Sequence, residues 1–292
     1  MKRITLFFLT CLLAPPVMAE EVDKRLDAAA DGHVNISNIS GEITVKGWSR
    51  NQVEVTGSLG RNVEKLIFER DGNEITIKVK VPRRSSRGIE SDLHIKVPQN
   101  SSIDVGTVSA DIDVRDVTGD QDLHTVSGDV ATESTGADME AQSVSGDVEI
   151  VGDNADGEIE ASTVSGDVTL FHVAGEISAE SVSGDVIVDE GLFTRVEAGT
   201  VSGDIVFRAG LRDGGKLELE TVNGDIDVEF SGDVSAKFEV DTFNGQNRNC
   251  FGPQAVKTSK YLNSVELVFT EGSGDGRVEI STMNGDVSIC KK

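Results

Sequence analysis

Hydrophobic and polar positions alternate along most of the chain in short stretches that end at a recurring Thr-Val-Ser-Gly-Asp-Val motif. The fourth position of this motif falls at Ala110, Gly128, Gly146, Gly166, Gly184, Gly203, Gly224, Gly245 and Gly285, in steps of 18, 18, 20, 18, 19, 21, 21 and 40 residues. A period near 19 residues is too short for helical-hairpin repeats and fits one turn of a β-solenoid. The last step is a doubled interval that contains an insertion at about residues 246–264.

Apolar residues keep fixed positions relative to each repeat glycine. Around Gly146 they are Met139 and Ala141 before it, and Val148 and Ile150 after it. Each pair marks one buried face of a short strand, because side chains alternate between the two faces. The parity of the buried set changes between the two strands, which requires a corner or bulge near the Thr position. We expect the glycine to supply a positive φ at this corner.

A looser turn half a period away predicts a second corner in each rung. It is marked by Thr118-Gly119, Asp156-Gly157, Ala174-Gly175, Gly214-Gly215 and Ser231-Gly232. The sequence therefore predicts an all-β fold, a parallel β-solenoid with rungs of about 18–21 residues. At ~4.8 Å per rung, about nine or ten rungs form a rod roughly 45 Å long.

The two ends of the repeat region are less regular. Residues 101–292 carry the repeats, whereas residues 20–100 are β-rich without a clear period. Within them, residues 63–70 and 74–81 flank Asp71-Gly72-Asn73, which predicts a hairpin. We expect residues 20–100 to start or cap the solenoid, and the C-terminal insertion to cap the other end, because an open rung exposes core and strand edges.

Residues 1–19 predict a secretion signal. Lys2 and Arg3 precede an apolar run that is too short to span a bilayer, and Val17-Met18-Ala19 resembles a cleavage site. The mature chain is then exported, to the periplasm or to the cell surface and medium, and no later stretch predicts a transmembrane segment. In such a compartment Cys250 and Cys290 are expected to form a disulfide.

Composition excludes several classes of partner. The chain has 27 Lys and Arg against 51 Asp and Glu, a formal net charge of −24. So acidic a protein repels nucleic acid and anionic lipid. Aromatic residues make up only 4%, which argues against a stacking platform for sugars or bases.

The segment Gly-Glu-Ile-Thr-Val-Lys-Gly-Trp at 41–48, Val-Glu-Val at 53–55 and the repeated Val-Ser/Asn-Gly-Asp turns resemble the bacterial putative-adhesin domain, a domain of unknown function similar to the head-GIN adhesin domains. The resemblance covers about residues 30–290. It implies an exported β-solenoid with an adhesive or cell-envelope role, and it supplies no catalytic motif.

Two acidic rows follow the repeat. One stands six residues before the glycine, at Asp122, Glu140, Glu160, Glu197, Glu218, Glu239 and Glu279. The other follows the glycine directly, at Asp111, Asp129, Asp147, Asp167, Asp185, Asp204, Asp225 and Asp286. A stacked row could collect Ca²⁺ or a basic ligand, but basic residues near the later Glu positions favour a solvated surface, and no calcium-binding loop motif is present. We interpret the Asp row as turn chemistry and expect no cofactor.

A hydroxyl row at the corner predicts hydrogen bonding within the corner rather than an ice-binding face. It comprises Thr107, Thr125, Ser143, Thr163, Ser181, Thr200, Thr221, Thr242 and Thr282. The histidines at 33, 94, 124 and 172 share no spacing that fits metal ligation, and no catalytic motif appears. The sequence therefore favours a non-enzyme.

Arg83, Arg84 and Arg87 form a basic cluster on an otherwise acidic chain, and a regular scaffold does not need them. They are candidates for contact with an anionic glycan or a partner, the alternative being a solvated loop. The insertion with Arg248, Lys257, Lys260 and Tyr261 poses the same choice between binding and capping.

The leading functional hypothesis is an adhesin-like or envelope-associated binding module whose partner is a glycan, a protein or another envelope component. A structural or envelope-maintenance scaffold that acts by assembly is the alternative. An enzyme acting on polysaccharide is a more distant third.

Overall fold

The computed structural model describes residues 20–83, 87–257 and 264–292, and all regular secondary structure in these ranges is β-strand. The all-β prediction is confirmed, whereas the predicted signal at 1–19, Arg84, Lys260 and Tyr261 lie outside the described residues. The part of the chain that the structure describes contains no helix with the length and apolar character of a transmembrane span.

Strands at the N-terminal end are β1 (Glu20–Asp27), β2 (His33–Ser37), β3 (Ser40–Trp48), β4 (Gln52–Leu59), β5 (Lys65–Asp71), β6 (Glu74–Lys80) and β7 (Ser91–Pro98). The central strands are β8 (Ser102–Gly106), β9 (Ser109–Arg115), β10 (Gln121–His124), β11 (Val130–Ser134), β12 (Met139–Gln142), β13 (Val148–Gly152), β14 (Asp156–Ser165), β15 (Val168–Ser183), β16 (Val186–Ser202) and β17 (Ile205–Asn223). The C-terminal strands are β18 (Ile226–Phe230), β19 (Ala236–Asn244), β20 (Asn247–Asn249), β21 (Val256–Lys257), β22 (Val265–Glu271), β23 (Gly276–Asn284) and β24 (Val287–Lys291).

The central strands stack in parallel as two walls of one solenoid-like sheet. In the first wall β8, β10, β12 and β14 are neighbours, and Met139 lies opposite both Gln121 and Ile159. In the second wall β9, β11, β13 and the start of β15 are neighbours, and Val148 lies opposite Val130 and Val168. Each of the strands β15, β16 and β17 continues through the second corner and therefore belongs to both walls.

The core lies between the two walls. The inward residues that the periodicity predicts, among them Ala141, Val148 and Ile150, are fully buried. At the C-terminal end the core becomes aromatic: the ring centroids of Phe207 and Phe230 are 5.8 Å apart. A continuous apolar interior therefore runs along the stack and supplies the main stabilisation of each rung.

At the N-terminal end the order of rungs in space differs from the order in the chain. The rung β2–β3 lies between β6–β7 and β8–β9 and pairs in parallel with both. Antiparallel strands cover the outer side: β4 pairs with β7, β1 pairs with β4, and β5 and β6 form the predicted hairpin.

At the C-terminal end, too, the order of rungs in space differs from the order in the chain. The regular spacing predicts a sequential stack, and for this end that prediction is wrong. The final rung, β23–β24, lies between β17–β18 and β19–β20, so that Val278 is opposite both Leu217 and Phe238. The reason lies in the insertion, where β22 runs antiparallel to β19 on its outer side. This strand returns the chain to the start of the rung, and the next strand can then pair in parallel only on the inner side.

The predicted disulfide between Cys250 and Cys290 is present, with a Cα–Cα distance of 4.8 Å. It joins the end of the outer rung to β24 of the inserted rung.

Candidate functional site

The repeat motif builds one corner of each repeat rung, and the hydroxyl group of its first residue is buried there. Thr163 Oγ1 donates to the main-chain oxygen of Gly146 at 2.9 Å, and Ser181 Oγ donates to that of Gly166 at 3.0 Å. Equivalent bonds run from Thr125, Ser143, Thr200, Thr221 and Thr282 to the preceding rung. The hydroxyls satisfy carbonyls that the corner turns away from the sheet ladder.

Glycine is required at the corner because adjacent rungs approach closely. A Cβ on Gly146 would lie 2.0 Å from the main-chain oxygen of Gly128, and one on Gly224 would lie 1.8 Å from that of Gly203. The expected positive φ is wrong. None of the repeat glycines 128–285 is left-handed, since Gly184 at 159° is extended backbone. The glycine that recurs at this corner is needed for space rather than for an unusual dihedral angle.

Left-handed backbone occurs instead at the second corner. Gly136 has φ 88° there, and the non-glycine residues Asn154, His172 and Glu190 have φ 64°, 56° and 55°. Each follows the previous one by one rung, so the strained conformation itself is stacked.

The Asp row continues the corner as a hydrogen-bonded ladder. The amide of Asp147 donates to Asp129 Oδ1 at 2.9 Å, and the amide of Asp167 donates to Asp147 Oδ1 at 2.9 Å. The same bond links Asp111 to Asp129, Asp167 to Asp185, Asp185 to Asp204, Asp204 to Asp225, Asp225 to Asp286 and Asp286 to Gln246. Each carboxylate thus holds the next rung in register.

Between the buried hydroxyl and the Asp ladder, each corner exposes an apolar side chain. We call this row the apolar ridge: Val108, Val126, Val144, Val164, Val182, Val201, Val222, Met283 and Phe243. All but the half-buried Val222 are 44–53% exposed. At ~4.8 Å per rung the ridge is about 38 Å long. A contiguous exposed apolar stripe of this length is typical of an interaction surface.

Sequence reasoning missed the apolar ridge, although the signal was present. In each motif the valine directly follows a hydroxyl residue such as Thr163, which is buried. Side chains alternate along a strand, so the next residue, Val164, must point outward. Nothing in the packing of the core needs an apolar residue at that position.

The acidic row on the first wall changes character along the rod. In the later rungs Arg195 contacts Glu197, and Arg277 contacts Glu279. The hydrogen bond that Arg195 donates to Glu197 raises the pKa of Arg195 above its ordinary value. In this half of the rod the glutamates of the acidic row are therefore neutralised by arginines of the protein itself, which favours a solvated surface.

In the earlier rungs a histidine joins the acidic row. One potential ligand atom from each of Asp122, His124 and Glu140 lies within 4.8 Å of the other two. The spacing of the histidines along the chain does not reveal this group, because its third member, Glu140, lies on the next rung.

The remaining basic candidates lie at the two ends. Arg83 and Arg87 are exposed near the connection between β6 and β7, and the main-chain oxygen of Arg87 accepts a bond from Asn62 Nδ2. In the insertion, Arg248 and Lys257 are exposed. The role of these side chains in binding stays a prediction.

Comparison with known proteins identifies one matching family model, Toastrack DUF4097, over residues 25–180 and 173–290. None of the curated proteins compared with the chain matches it. Among solved structures, the chain is similar to a putative adhesin from Bacteroides fragilis, with 11% identity over 92% of this chain and 97% of that chain and a TM-score of 0.46. It is also similar to a putative lipid binding protein from Parabacteroides distasonis, with 14% identity, coverage of 93% and 96%, and a TM-score of 0.34.

Proposed function

The chain belongs to the Toastrack DUF4097 family, and from this premise we propose that it is an exported, non-enzymatic binding module of the cell envelope. The observation that carries the proposal is the apolar ridge, which runs along the corner of the rungs from Val108 to Phe243. The parallel β-solenoid with rungs of about 18–21 residues serves as the rigid support that keeps this row straight.

The chemistry of the apolar ridge favours a protein partner over a glycan. Its members are aliphatic except for Phe243, and sugars are bound mainly by stacking on aromatic rings. Burial of the exposed aliphatic area contributes roughly 25 cal/mol per Å². The Asp ladder beside the ridge adds a parallel row of negative charge, so a complementary partner presents apolar side chains flanked by basic ones.

Two further observations support a non-enzymatic role. The hydroxyls at the first position of the motif, such as that of Thr163, are buried and donate to main-chain carbonyls, which leaves them unsuited to nucleophilic attack. The repeated Asp carboxylates accept bonds from the backbone, as Asp129 does from Asp147. These residue types are thus used for holding rungs together.

Export is supported by the predicted signal at residues 1–19 and by the disulfide between Cys250 and Cys290. Structural disulfides persist in oxidising compartments such as the periplasm. Separation of cell compartments with and without residues 1–19 tests the location, and retention of the full-length chain in the cytoplasm would contradict it.

The binding role is tested with purified residues 20–292 immobilised and exposed to fractionated envelope proteins and to a glycan array. The ridge variant carries Val126→Thr, Val144→Thr and Val164→Thr, which keep the shape of the side chains and remove exposed methyl groups. The control carries Val256→Thr and Val268→Thr, two exposed valines outside the ridge. We expect saturable binding of a protein that falls at least tenfold in the ridge variant and is unchanged in the control.

Three outcomes decide against this proposal. Binding that is equal in both variants removes the ridge from the interface. A saturable glycan ligand insensitive to the ridge variant shifts the site to another surface, with Arg83 and Arg87 as the next candidates. Self-association by sedimentation, lost only in the ridge variant, favours the scaffold that acts by assembly.

A further inference from the structure

Three side chains with metal-ligating groups converge on the outer surface of the first wall. Asp122 and His124 are two residues apart on β10 and therefore point to the same side of the sheet. Glu140 lies directly opposite Asp122 on the neighbouring strand β12. This triangle, two positions on one strand and one on the next, brings one ligand atom from each side chain within 4.8 Å of the other two.

Within this group, the carboxylate of Asp122 contacts the imidazole of His124. Its Oδ1 is shielded from solvent, and His124 Nε2 is the polar atom that lies against it. When Nε2 carries no proton, this contact gives the oxygen no hydrogen bond, and its desolvation is then uncompensated. A carboxylate oxygen and an imidazole nitrogen this close together are a pair of ligand atoms that one cation can bind.

The third ligand is already oriented by its neighbour. Gln142 Nε2 donates to Glu140 Oε1 at 2.7 Å, which leaves Oε2 available. Hydrogen bonds of this kind to a ligating carboxylate fix its direction and strengthen metal sites. The side chains of His124 and Asp122 are 41% and 49% exposed, so an ion and its remaining water ligands have access.

The surroundings of this group are strongly acidic. Asp122 and Glu140 line a cleft of about 490 Å³ that is also lined by Asp120, Asp138, Glu158 and Glu160. No Lys or Arg among the described residues lines this cleft, whereas Arg195 and Arg277 accompany the acidic row farther along the rod. A divalent cation is therefore attracted to this half of the wall and not to the other.

We propose that Asp122, His124 and Glu140 form a binding site for a divalent first-row transition-metal ion, with Zn²⁺ as its probe. Imidazole nitrogen together with two carboxylates suits Zn²⁺ and its neighbours, whereas Ca²⁺ prefers an all-oxygen set. This proposal differs from the hypothesis that the whole acidic row collects Ca²⁺, because it assigns one localised site to a different metal. It is independent of the binding role of the apolar ridge.

The test is calorimetric titration of chelator-treated residues 20–292 with Zn²⁺, with Co²⁺ absorption as a second readout. We expect one site per chain, affinity at least tenfold weaker in His124→Ala and in Glu140→Gln, and a Co²⁺ spectrum that loses intensity in both. His94→Ala removes an exposed histidine outside the group and serves as the matched control. Excess Ca²⁺ is expected to leave the Zn²⁺ affinity within a few-fold of its original value.

Several results would overturn the site. These are Zn²⁺ binding unchanged in both variants, an equal loss in His94→Ala, or displacement of Zn²⁺ by Ca²⁺ at comparable concentration, which would indicate a diffuse acidic surface. The outward-facing positions make misfolding of the variants unexpected, and circular dichroism checks this for each one. Should one variant fail to fold, the other decides the test.

Discussion

The main-chain amide of Asp286 donates a hydrogen bond at 2.7 Å to the carboxylate of Asp225, 61 residues earlier in the chain. The carboxylate of Asp286 in turn accepts the amide of Gln246 at 2.9 Å. The Asp ladder therefore crosses the inserted rung without interruption, even though the order of rungs in space departs from the order in the chain. The C-terminal segment is held on both sides, and no free parallel edge remains at β23.

The disulfide between Cys250 and Cys290 should stabilise this insertion. It closes a segment with a sequence separation of 40 residues, for which the loop-entropy model gives about 4 kcal/mol. We expect the double variant Cys250→Ser, Cys290→Ser to lose up to about this amount in guanidinium unfolding, and the amides of β24 to exchange faster. Reduction of the unmodified protein is the control and should produce the same loss. Equal stability of all forms would mean that the inserted rung is held by pairing alone.

Close approach of the rungs predicts a strong dependence on glycine at the repeat corner. In Gly146→Ala the new Cβ would lie 2.0 Å from a main-chain oxygen, so the two rungs must separate. We expect a loss of more than about 2 kcal/mol in the free energy of unfolding. Gly106→Ala is the matched control, because a Cβ there meets nothing within 4 Å. Similar losses in the two variants would refute the steric explanation.

The Asp ladder is predicted to act through its acceptor oxygen rather than through its charge. Asp147→Asn keeps an Oδ1 acceptor for the amide of Asp167, whereas Asp147→Ala removes it. We expect Asp147→Ala to lower the free energy of unfolding by about 1–2 kcal/mol, and Asp147→Asn to change it by less than about 0.5 kcal/mol. Urea unfolding of both proteins provides the measurement. A loss in Asp147→Asn as large as that in Asp147→Ala would assign the effect to charge.

The sequence is sufficient to predict the β class, the corner and the disulfide, because each depends on a local or periodic signal. The apolar positions around Gly146 recur along the repeats, and Cys250 and Cys290 are the two cysteines beyond the predicted signal. The inverted rung order at both ends is different. It depends on whether β22 pairs with β19 or with another strand. By pattern, Phe238 fits beside Leu217 as well as Val278 does, whereas in the structure Val278 lies between the two. Such choices are made by competing long-range contacts that a period does not encode.

The candidate sites follow the same division. The outward position of Val164 could have been read from the alternation after Thr163, whereas the convergence of His124 with Glu140 required the register between two rungs. A difference of one residue in that register would have placed Glu140 on the opposite face of the wall. The steps of 18 and 20 residues around Gly146 show that rung length varies, so this register is a property of the folded chain.

Glu54 is the one buried carboxylate among the described residues, and it joins three strands at the N-terminal end. Its side chain is 7% exposed and contacts Arg25 Nε at 2.6 Å and Lys96 Nζ at 2.8 Å. Arg25 lies on β1, Glu54 on β4 and Lys96 on β7. The ion pairs therefore fasten the outermost antiparallel strands to the solenoid.

These ion pairs predict how the stability of the N-terminal end depends on pH. The hydrogen bond from Lys96, with that from Arg25, holds the pKa of Glu54 below its ordinary value of 4.5. A carboxylate with a lowered folded-state pKa contributes stability above that ordinary value and loses it as the pH falls through the lowered one. We expect Glu54→Gln to lower the melting temperature at pH 7 and to converge with the unmodified protein as the pH falls well below 4.5. Glu64→Gln is the control, since the Glu64–Lys80 pair is solvent-exposed on both sides and should contribute little at any pH. The opposite result would be a difference in melting temperature between Glu54→Gln and the unmodified protein that is the same at pH 7 and at pH 3. It would show that the charge of Glu54 does not stabilise the attachment of these strands.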